Sequence, residues 1–536
     1  MPSQLFDADV LIIGAGPSGL ALATELDLRG HSCILVERNE RTGVQPRAKT
    51  TNVRSMTQMR RWGLAPEVRR LSPLTDGFPR DVTFTTGLFE PPIFTFHDAF
   101  CAEPDRRDAF PENAEFIPQY VVEGILAEHV RSRPLCDLRF RTRMTSFTQD
   151  ETGVTATVTQ PDGTERELRA RYMAAADGGR SKVREALGYS MQGERDLMTF
   201  ATLILRIRGL NDAPGLTRAL FHWIVNPEAT CNMGPMDKDD LWFWIKPAAP
   251  DTPVESLLAE VRLAIGRDFP IEVMTRDNWV VNSLMADQYR KGRVFLLGDA
   301  CHLHSPFGGH GMNLGIGDAV DLGWKLSASL EGWGSETLLD SYNTERRQVH
   351  AAVIESSTRN FASLSDQFAD PRLMQKGPEA DAVRTATAEA VERLKSPEFR
   401  SLGLVLGYRY TDSSAIVAEP GDEPELLVSD YRPSARPGHL LPHAWLADGR
   451  SLYDRLGRGY TLLCLTGGAE TGALVDRAAA RAIPLEVLVL DDPTLPALMG
   501  AGMVLVRPDQ HVAWRGDSLP SDSRLLDAMQ GKPVAA

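Results

Sequence analysis

The chain has 536 residues, 43% hydrophobic and 24% charged, which is the composition of an ordinary soluble protein long enough for two or three domains. Its formal net charge of −14 argues against nucleic acid as a partner, because an acidic surface repels phosphate backbones and offers anionic lipid no basic patch. No apolar run approaches the roughly 18 residues that span a bilayer, and the start MPSQLFDADV lacks a basic and then apolar leader, so no membrane association and a cytoplasmic location are the default expectations.

In chain order, Ala8–Ile13 reads as a short apolar strand. It is followed by Gly14-Ala15-Gly16-Pro17-Ser18-Gly19 and an amphipathic run carrying Leu20, Leu22, Ala23 and Leu26. Gly14 permits the tight turn, Gly16 lets the backbone approach a pyrophosphate, and Gly19 allows the helix to pack closely on the strand; the helix N-terminus, with Ser18, offers unpaired N–H groups to the anion. A second apolar strand, Cys33–Val36, ends in Glu37 and Arg38. The Glu37 carboxylate is placed to accept hydrogen bonds from adenosine ribose hydroxyls and would repel a 2′-phosphate, so this turn is expected to hold FAD or NAD(H) rather than NADP(H).

A helix over 119–130 opens with Gln119, and strands at 154–158 and 168–175 flank the turn Pro161-Asp162-Gly163. The return strand leads into Asp177-Gly178-Gly179-Arg180-Ser181-Lys182-Val183-Arg184. Segments 199–208, 219–225 and 241–245 alternate with a two-residue period and are rich in aromatic residues, as expected for a second sheet walling a bound ligand. Residues 292–297 form another apolar strand ending in Gly298-Asp299, which puts a carboxylate at a strand tip. The loop that follows carries Pro306, Gly308, Gly309 and Gly311, and a long helix starts near Met312. Its positive N-terminal end is aimed at whatever the loop encloses.

Three motifs in this order, 14–19, 177–184 and Gly298-Asp299-Ala300-Cys301-His302, resemble those of the FAD-dependent aromatic hydroxylases. These are single-component flavoprotein monooxygenases that include phenol and polyketide hydroxylases. The resemblance implies that Asp299 holds the FAD ribityl region and that the backbone at Gly311, Met312 and Asn313 faces the flavin pyrimidine ring. It assigns Asp177, Gly178 and Arg184 to a segment serving both FAD and reduced nicotinamide nucleotide, matches Arg47 and Gln119 to further flavin contacts, and sets Pro306 beside the reacting centre. Two departures stand out: Ser305-Pro306 replaces a usual pair of prolines, and His310 stands where a Gln is common, bringing an ionisable imidazole near the flavin.

The implied reaction is hydride transfer from NAD(P)H to FAD, addition of dioxygen at flavin C4a, and delivery of oxygen from the hydroperoxide to an electron-rich ring, a small aromatic substrate. A phenol attacks better as phenolate, so a proton acceptor is needed, and His222 and Tyr289 are the candidates. Other readings are a flavin oxidase or dehydrogenase, a non-enzymatic FAD-binding protein, and a halogenase. The last is raised by Trp242-Phe243-Trp244-Ile245-Lys246-Pro247, whose paired tryptophans suit a cavity wall or a plain core.

The expected fold class is α/β. A discontinuous Rossmann-like FAD-binding domain occupies 1–75, 116–190 and 276–395, and an inserted β-sheet substrate domain 76–115 and 191–275. A C-terminal domain, 396–536, follows the Pro/Gly-rich stretch 431–438, which reads as a linker. Strands at 460–465 and 485–490 separated by a helix at 473–482, then a strand within 503–509, resemble a thioredoxin-like fold. The six cysteines, Cys33, Cys101, Cys136, Cys231, Cys301 and Cys464, include no CxxC pair, so neither a metal site nor dithiol exchange is expected. Packing, or formation of a homodimer, is the expected role of the last domain.

Overall fold

The computed structural model describes residues 6–40, 48–74, 77–103, 105–237, 239–467 and 470–533. Arg47 lies outside them. Three large sheets and a two-stranded one, Thr50–Thr51 with Glu115–Phe116, organise the described residues, and the first is built on Ala8–Ile13, Cys33–Val36, Glu165–Ala175 and Val294–Leu296, all parallel and almost wholly buried at their C-terminal ends. Strands covered on both faces lose their alternation, which is why these segments read as continuous apolar runs. The glycine-turn helix Pro17–Leu28 and the helix Gly311–Leu330 pack together over this sheet.

The second sheet has eight strands and takes in Val82–Thr85 and Phe94–Phe96 along with Met191–Ile207, Phe221–Ile224, Cys231–Pro235, Leu241–Pro247 and Ile271–Ala286. Its last strand, His302–Leu303, pairs with Leu284 and Met285 and so joins this sheet directly to the Gly298-Asp299 turn. The strand Ile271–Ala286 pairs along its whole length with Met191–Ile207. A division at 276 therefore cuts through a paired strand, and one at 395 cuts through the helix Pro378–Phe399.

A four-stranded sheet closes the chain: Tyr460–Cys464 lies between parallel Leu485–Val489 and antiparallel Met503–Val506, with Val512–Gly516 at the edge. The stretch 431–438 is not a free linker at its end. Ala435 is fully buried, Gly438 N–H donates to the Val512 carbonyl at 2.7 Å, and the Arg436 guanidinium is bound by Glu419 and Glu423. Proline and glycine here shape a packed crossing rather than a tether. Among the described residues no helix is long and apolar enough to cross a membrane.

Candidate active site

Register explains why distant motifs meet. Ile13 stands opposite both Val36 and Ala175, and Ala175 stands opposite Leu296. The four strands therefore end level, and the turns at Gly14, Glu37, Asp177-Gly178 and Gly298-Asp299 open onto one crevice at their carboxyl ends, where parallel sheets bind ligands. Gly14 has φ 103°, and a Cβ there would lie 2.3 Å from the Ala176 carbonyl oxygen. A Cβ on Gly16 would meet nothing within 4 Å, so this backbone faces open space. Gly19 presses on the Gly14 carbonyl. Ser18 is wedged between Gly298 and Gly315, where added Cβ atoms would come within 2.4 and 2.1 Å of its Oγ. It thus locks the first motif to the last.

Glu37 reaches back to its own turn: its carboxylate accepts from Ala15 N at 3.0 Å and from Asn39 N at 2.8 Å. Arg38, Gln119, Asp177, Gly178 and Asp299 line the same crevice. Gln119 donates to Glu123 Oε1 at 2.7 Å. Asp299 is exposed to the cavity and makes no hydrogen bond or ion pair with a described residue, so its carboxylate is available for hydroxyls. Asp177 caps the helix Lys182–Ala186 by accepting from Lys182 N at 2.9 Å; its other oxygen is buried and unpaired, and burial pushes its pKa up. Arg184 faces away from the cavity, donating to the carbonyls of Ala300 at 2.8 Å and Gly179 at 3.0 Å. It ties the second motif to the third from behind. Arg180 and Lys182 are the cations of this segment that line the opening, and neither stood out in the sequence.

Pro306, Gly311 and Met312 line the cavity at the N-terminus of the helix Gly311–Leu330. Asn313 does not line it. Its side chain instead accepts from Asn52 N and donates to the Thr50 and Gly309 carbonyls at 2.9, 2.9 and 2.7 Å, fixing the loop against 50–52. Behind the loop Asp318 accepts from Gly298 N at 2.9 Å and is ringed by Arg346, His302 and His350, which hold its carboxyl well below the usual range against the opposing effect of burial. His310 turns into a small side pocket with Phe100, Cys101 and Leu402, away from the crevice. Burial lowers its pKa to about 4, so at neutral pH it is an uncharged core imidazole rather than a switch facing a flavin.

Beyond the loop the crevice continues into a chamber lined by Phe100, Phe221, Trp223, Phe243, Trp279 and Phe399, within a single cavity of about 950 Å³. Two-residue alternation decides which side chains reach it. Phe221 and Trp223 face the chamber, so His222 between them points to the other side of the sheet, where Nε2 bonds the Thr217 carbonyl at 2.7 Å and the ring packs on Trp242. Phe243 and Ile245 likewise line it, while Trp242 and Trp244 are buried against the helix Val254–Ile265, in a plain core. Tyr289 is fully buried in the first domain, its hydroxyl 2.7 Å from His350 Nδ1. Neither His222 nor Tyr289 touches the chamber, and both drop out as proton acceptors.

Such a crevice fits a flavin dinucleotide: open space over Gly16 for pyrophosphate, an exposed carboxylate at Asp299 for hydroxyls, and a helix N-terminus beyond. Fold and crevice together define a flavin-binding oxidoreductase with an aromatic substrate chamber. Family comparison narrows this. The FAD binding domain profile matches residues 7–357, and that of the aromatic-ring hydroxylase C-terminal domain matches 434–532. A putative polyketide hydroxylase of Streptomyces halstedii is 32% identical over 94% of this chain and 93% of its own. The rebeccamycin biosynthetic enzyme RebC with reduced flavin superposes with TM-score 0.90 at 36% identity, covering 98% of this chain and 99% of RebC. Aklavinone-11 hydroxylase, in complex with FAD and aklavinone, gives TM-score 0.84 at 28% identity over 98% and 99% of the two chains. The chain belongs to the FAD-dependent aromatic-ring hydroxylases.

Proposed function

We propose that the protein hydroxylates a phenolic or other electron-rich aromatic substrate, using NAD(P)H and dioxygen. The observation that carries this is the continuity of one cavity from the glycine turn and Glu37, past the Pro306 to Met312 loop, into a chamber walled by six aromatic side chains. Bound FAD would supply the electron transfer and oxygen activation that amino-acid side chains lack. Gly14, Gly16 and Ser18 would hold the pyrophosphate, Glu37 the adenosine ribose, Asp299 the ribityl chain, and Gly311 with Met312 the pyrimidine edge. Arg180 and Lys182, cationic at the opening, support docking of an anionic nicotinamide nucleotide there. The aromatic walls bind a planar ring and exclude water from it.

The paired tryptophans that raised halogenation lie in the core on the far side of their strand, which removes the reason for that reading. The order β-α-β-α-β-β-α from Tyr460 onward supports a thioredoxin-like C-terminal domain with a packing role, and a cytoplasmic location is compatible with there being, among the described residues, no helix long and apolar enough to cross a membrane. Labelled dioxygen tests the reaction. A panel of phenols, from single rings to polycyclic polyketide-like ones, is screened for those that speed NAD(P)H oxidation, and one labelled oxygen atom is expected in the product. Dehydrogenation of a substrate with all the label in hydrogen peroxide would establish an oxidase instead.

A further inference from the structure

With His222 and Tyr289 outside the chamber, the group that handles the substrate's acidic proton must be sought among the residues that line it. Charged side chains at that end are mostly accounted for. Lys246 is paired with Glu260, and Glu398 with Lys395, whose ammonium also lies 4.0 Å over Trp223 and donates to the Ser363 carbonyl at 2.9 Å. Asp366 is exposed. Lys49 is different. It is 8% exposed, its Nζ lies 2.7 Å from the centre of the Phe243 ring and 5.3 Å from that of Phe221, and no described residue gives it a hydrogen bond or an ion pair.

An aliphatic amine buried among rings without a carboxylate partner carries a desolvation cost that a fold has no reason to bear for packing alone. The position is held firmly. The carbonyls of Ala48 and Lys49 accept from Gln119 N at 2.8 Å and Ile117 N at 2.7 Å, and Thr50 next to it is bound by Asn313 and touches Gly309 of the Pro306 to Met312 loop. Lys49 thus stands where the flavin-facing loop meets the aromatic wall. Burial, with no facing charge to offset it, pushes the amine well below the ordinary lysine range, so its lone pair is available.

We propose that Lys49 engages the acidic oxygen of the substrate: its Nζ takes the proton of a phenolic hydroxyl and, as an ammonium, holds the phenolate beside the flavin-facing loop. In this step the substrate O–H bond breaks, a new N–H bond forms from the Nζ lone pair, and the two charges created remain in contact in a poorly solvated chamber, where their attraction is strong. This deepens the hydroxylase reading and rests on it, and it makes the substrate class a phenol whose hydroxyl enters first, beside Phe221 and Phe243.

The test uses the FAD-loaded full chain with 4-nitrophenol and 4-nitro-1-naphthol, whose phenolates absorb visible light and whose phenols do not, alongside their O-methyl ethers. Wild-type protein should bind the phenols at least tenfold more tightly than the ethers and shift the bound probes toward the coloured phenolate at a pH where the free probes are mostly protonated. Lys49→Met should bind phenol and ether alike and give no shift. Lys49→Arg should restore retention of phenolate, because a guanidinium keeps the charge, while losing turnover that depends on accepting the proton. Undiminished colour in Lys49→Met, equal binding of phenol and ether by wild type, or no binding of either probe overturns the assignment. If the probes ionise but no substrate acquires labelled oxygen, Lys49 stands as a phenolate site and the hydroxylase reading fails; labelled product without probe ionisation does the reverse.

Discussion

Two regions of this molecule bury ionisable groups in opposite ways. Where the C-terminal domain meets the helix Gly311–Leu330, Arg507 donates to Glu345, Asp509 and Asp321 at 2.6 to 3.2 Å, and Lys325 binds Asp321 at 2.9 Å and Glu345 at 2.6 Å. All five side chains are at most 2% exposed; Glu345 and Asp509 offset the two cations, while burial pushes the Asp321 carboxyl up to about 8, so that it sits among them holding a proton at neutral pH. In the substrate chamber Lys49 meets ring faces, with no hydrogen bond or ion pair to a described residue. A set of mutual ion pairs offsets its own desolvation and serves assembly, whereas an amine among ring faces bears the cost of burial without that return. The three clustered carboxyl groups of Asp321, Glu345 and Asp509 are accordingly filled by an arginine and a lysine of the chain itself.

The strongest way to break this comparison is Arg507→Met. Removing the shared cation leaves three buried carboxyl groups on one lysine, and a loss of about 3–5 kcal/mol in unfolding free energy is expected, with FAD content per folded molecule retained. Denaturant titration with flavin absorbance reads both; a variant as stable as wild type would show that the ion cluster is dispensable. For the same reason, truncation after residue 436 is expected to yield insoluble protein.

Acid probes buried imidazoles that lie outside the chamber. His310, His350 and His511 are buried, and their pKa values fall from 6.5 to about 4, 3 and 4, chiefly by desolvation. Between those values and 6.5 the unfolded chain holds the extra protons, so this stability is complete above pH 6.5 and drains as pH falls toward 4. Up to three protons at about 1.4 kcal/mol per pH unit each give a loss of roughly 3–4 kcal/mol from pH 6 to pH 5. His304, lowered to about 3 chiefly by desolvation, adds a fourth proton, so His310→Gln should remove about a quarter of the slope measured in urea titrations at the two pH values; an unchanged slope would mean the side pocket admits the charged ring.

Asp299→Ala sharpens the comparison from the cavity side. Its carboxylate makes no hydrogen bond or ion pair with a described residue, so the folded apoprotein should be as stable as wild type while FAD affinity drops about ten- to a hundredfold, measured by reconstitution. Equal affinity would remove Asp299 from the flavin site. The smallest effect is expected of Tyr289→Phe, which deletes the hydrogen bond to His350 in the first domain's core. A loss of about 1 kcal/mol in stability with kcat and its pH profile unchanged is expected; a shifted pH profile would return Tyr289 to the mechanism.

Much of the flavin-binding half was legible before any coordinates. The strands Ala8–Ile13 and Cys33–Val36 have the expected limits, the helix Gly311–Leu330 begins one residue before Met312, and Gly14, Glu37, Asp177, Gly178 and Asp299 line one crevice. These features are local: a tight turn demands glycine, a strand tip presents the next side chain, and a buried parallel strand is apolar throughout. The chamber was read less well. Its strands are legible from their alternation, but alternation gives two faces without naming the inner one, so it leaves the paired tryptophans open between cavity wall and core and makes His222 a chamber candidate that the structure turns to the other face.

What the sequence determined by itself was the nucleotide-binding apparatus and, through it, the family, because each motif carries its geometry within a few residues. What only tertiary structure decided was which groups face the substrate and which merely bear on one another. Glu398 and Phe399 arrive from the end of a distant helix, Arg507 and Asp509 turn inward against Glu345, and Lys49 is singled out by meeting rings and no charged partner among the described residues. Pairing and burial are properties of residues far apart in the chain, and folding alone brings them together.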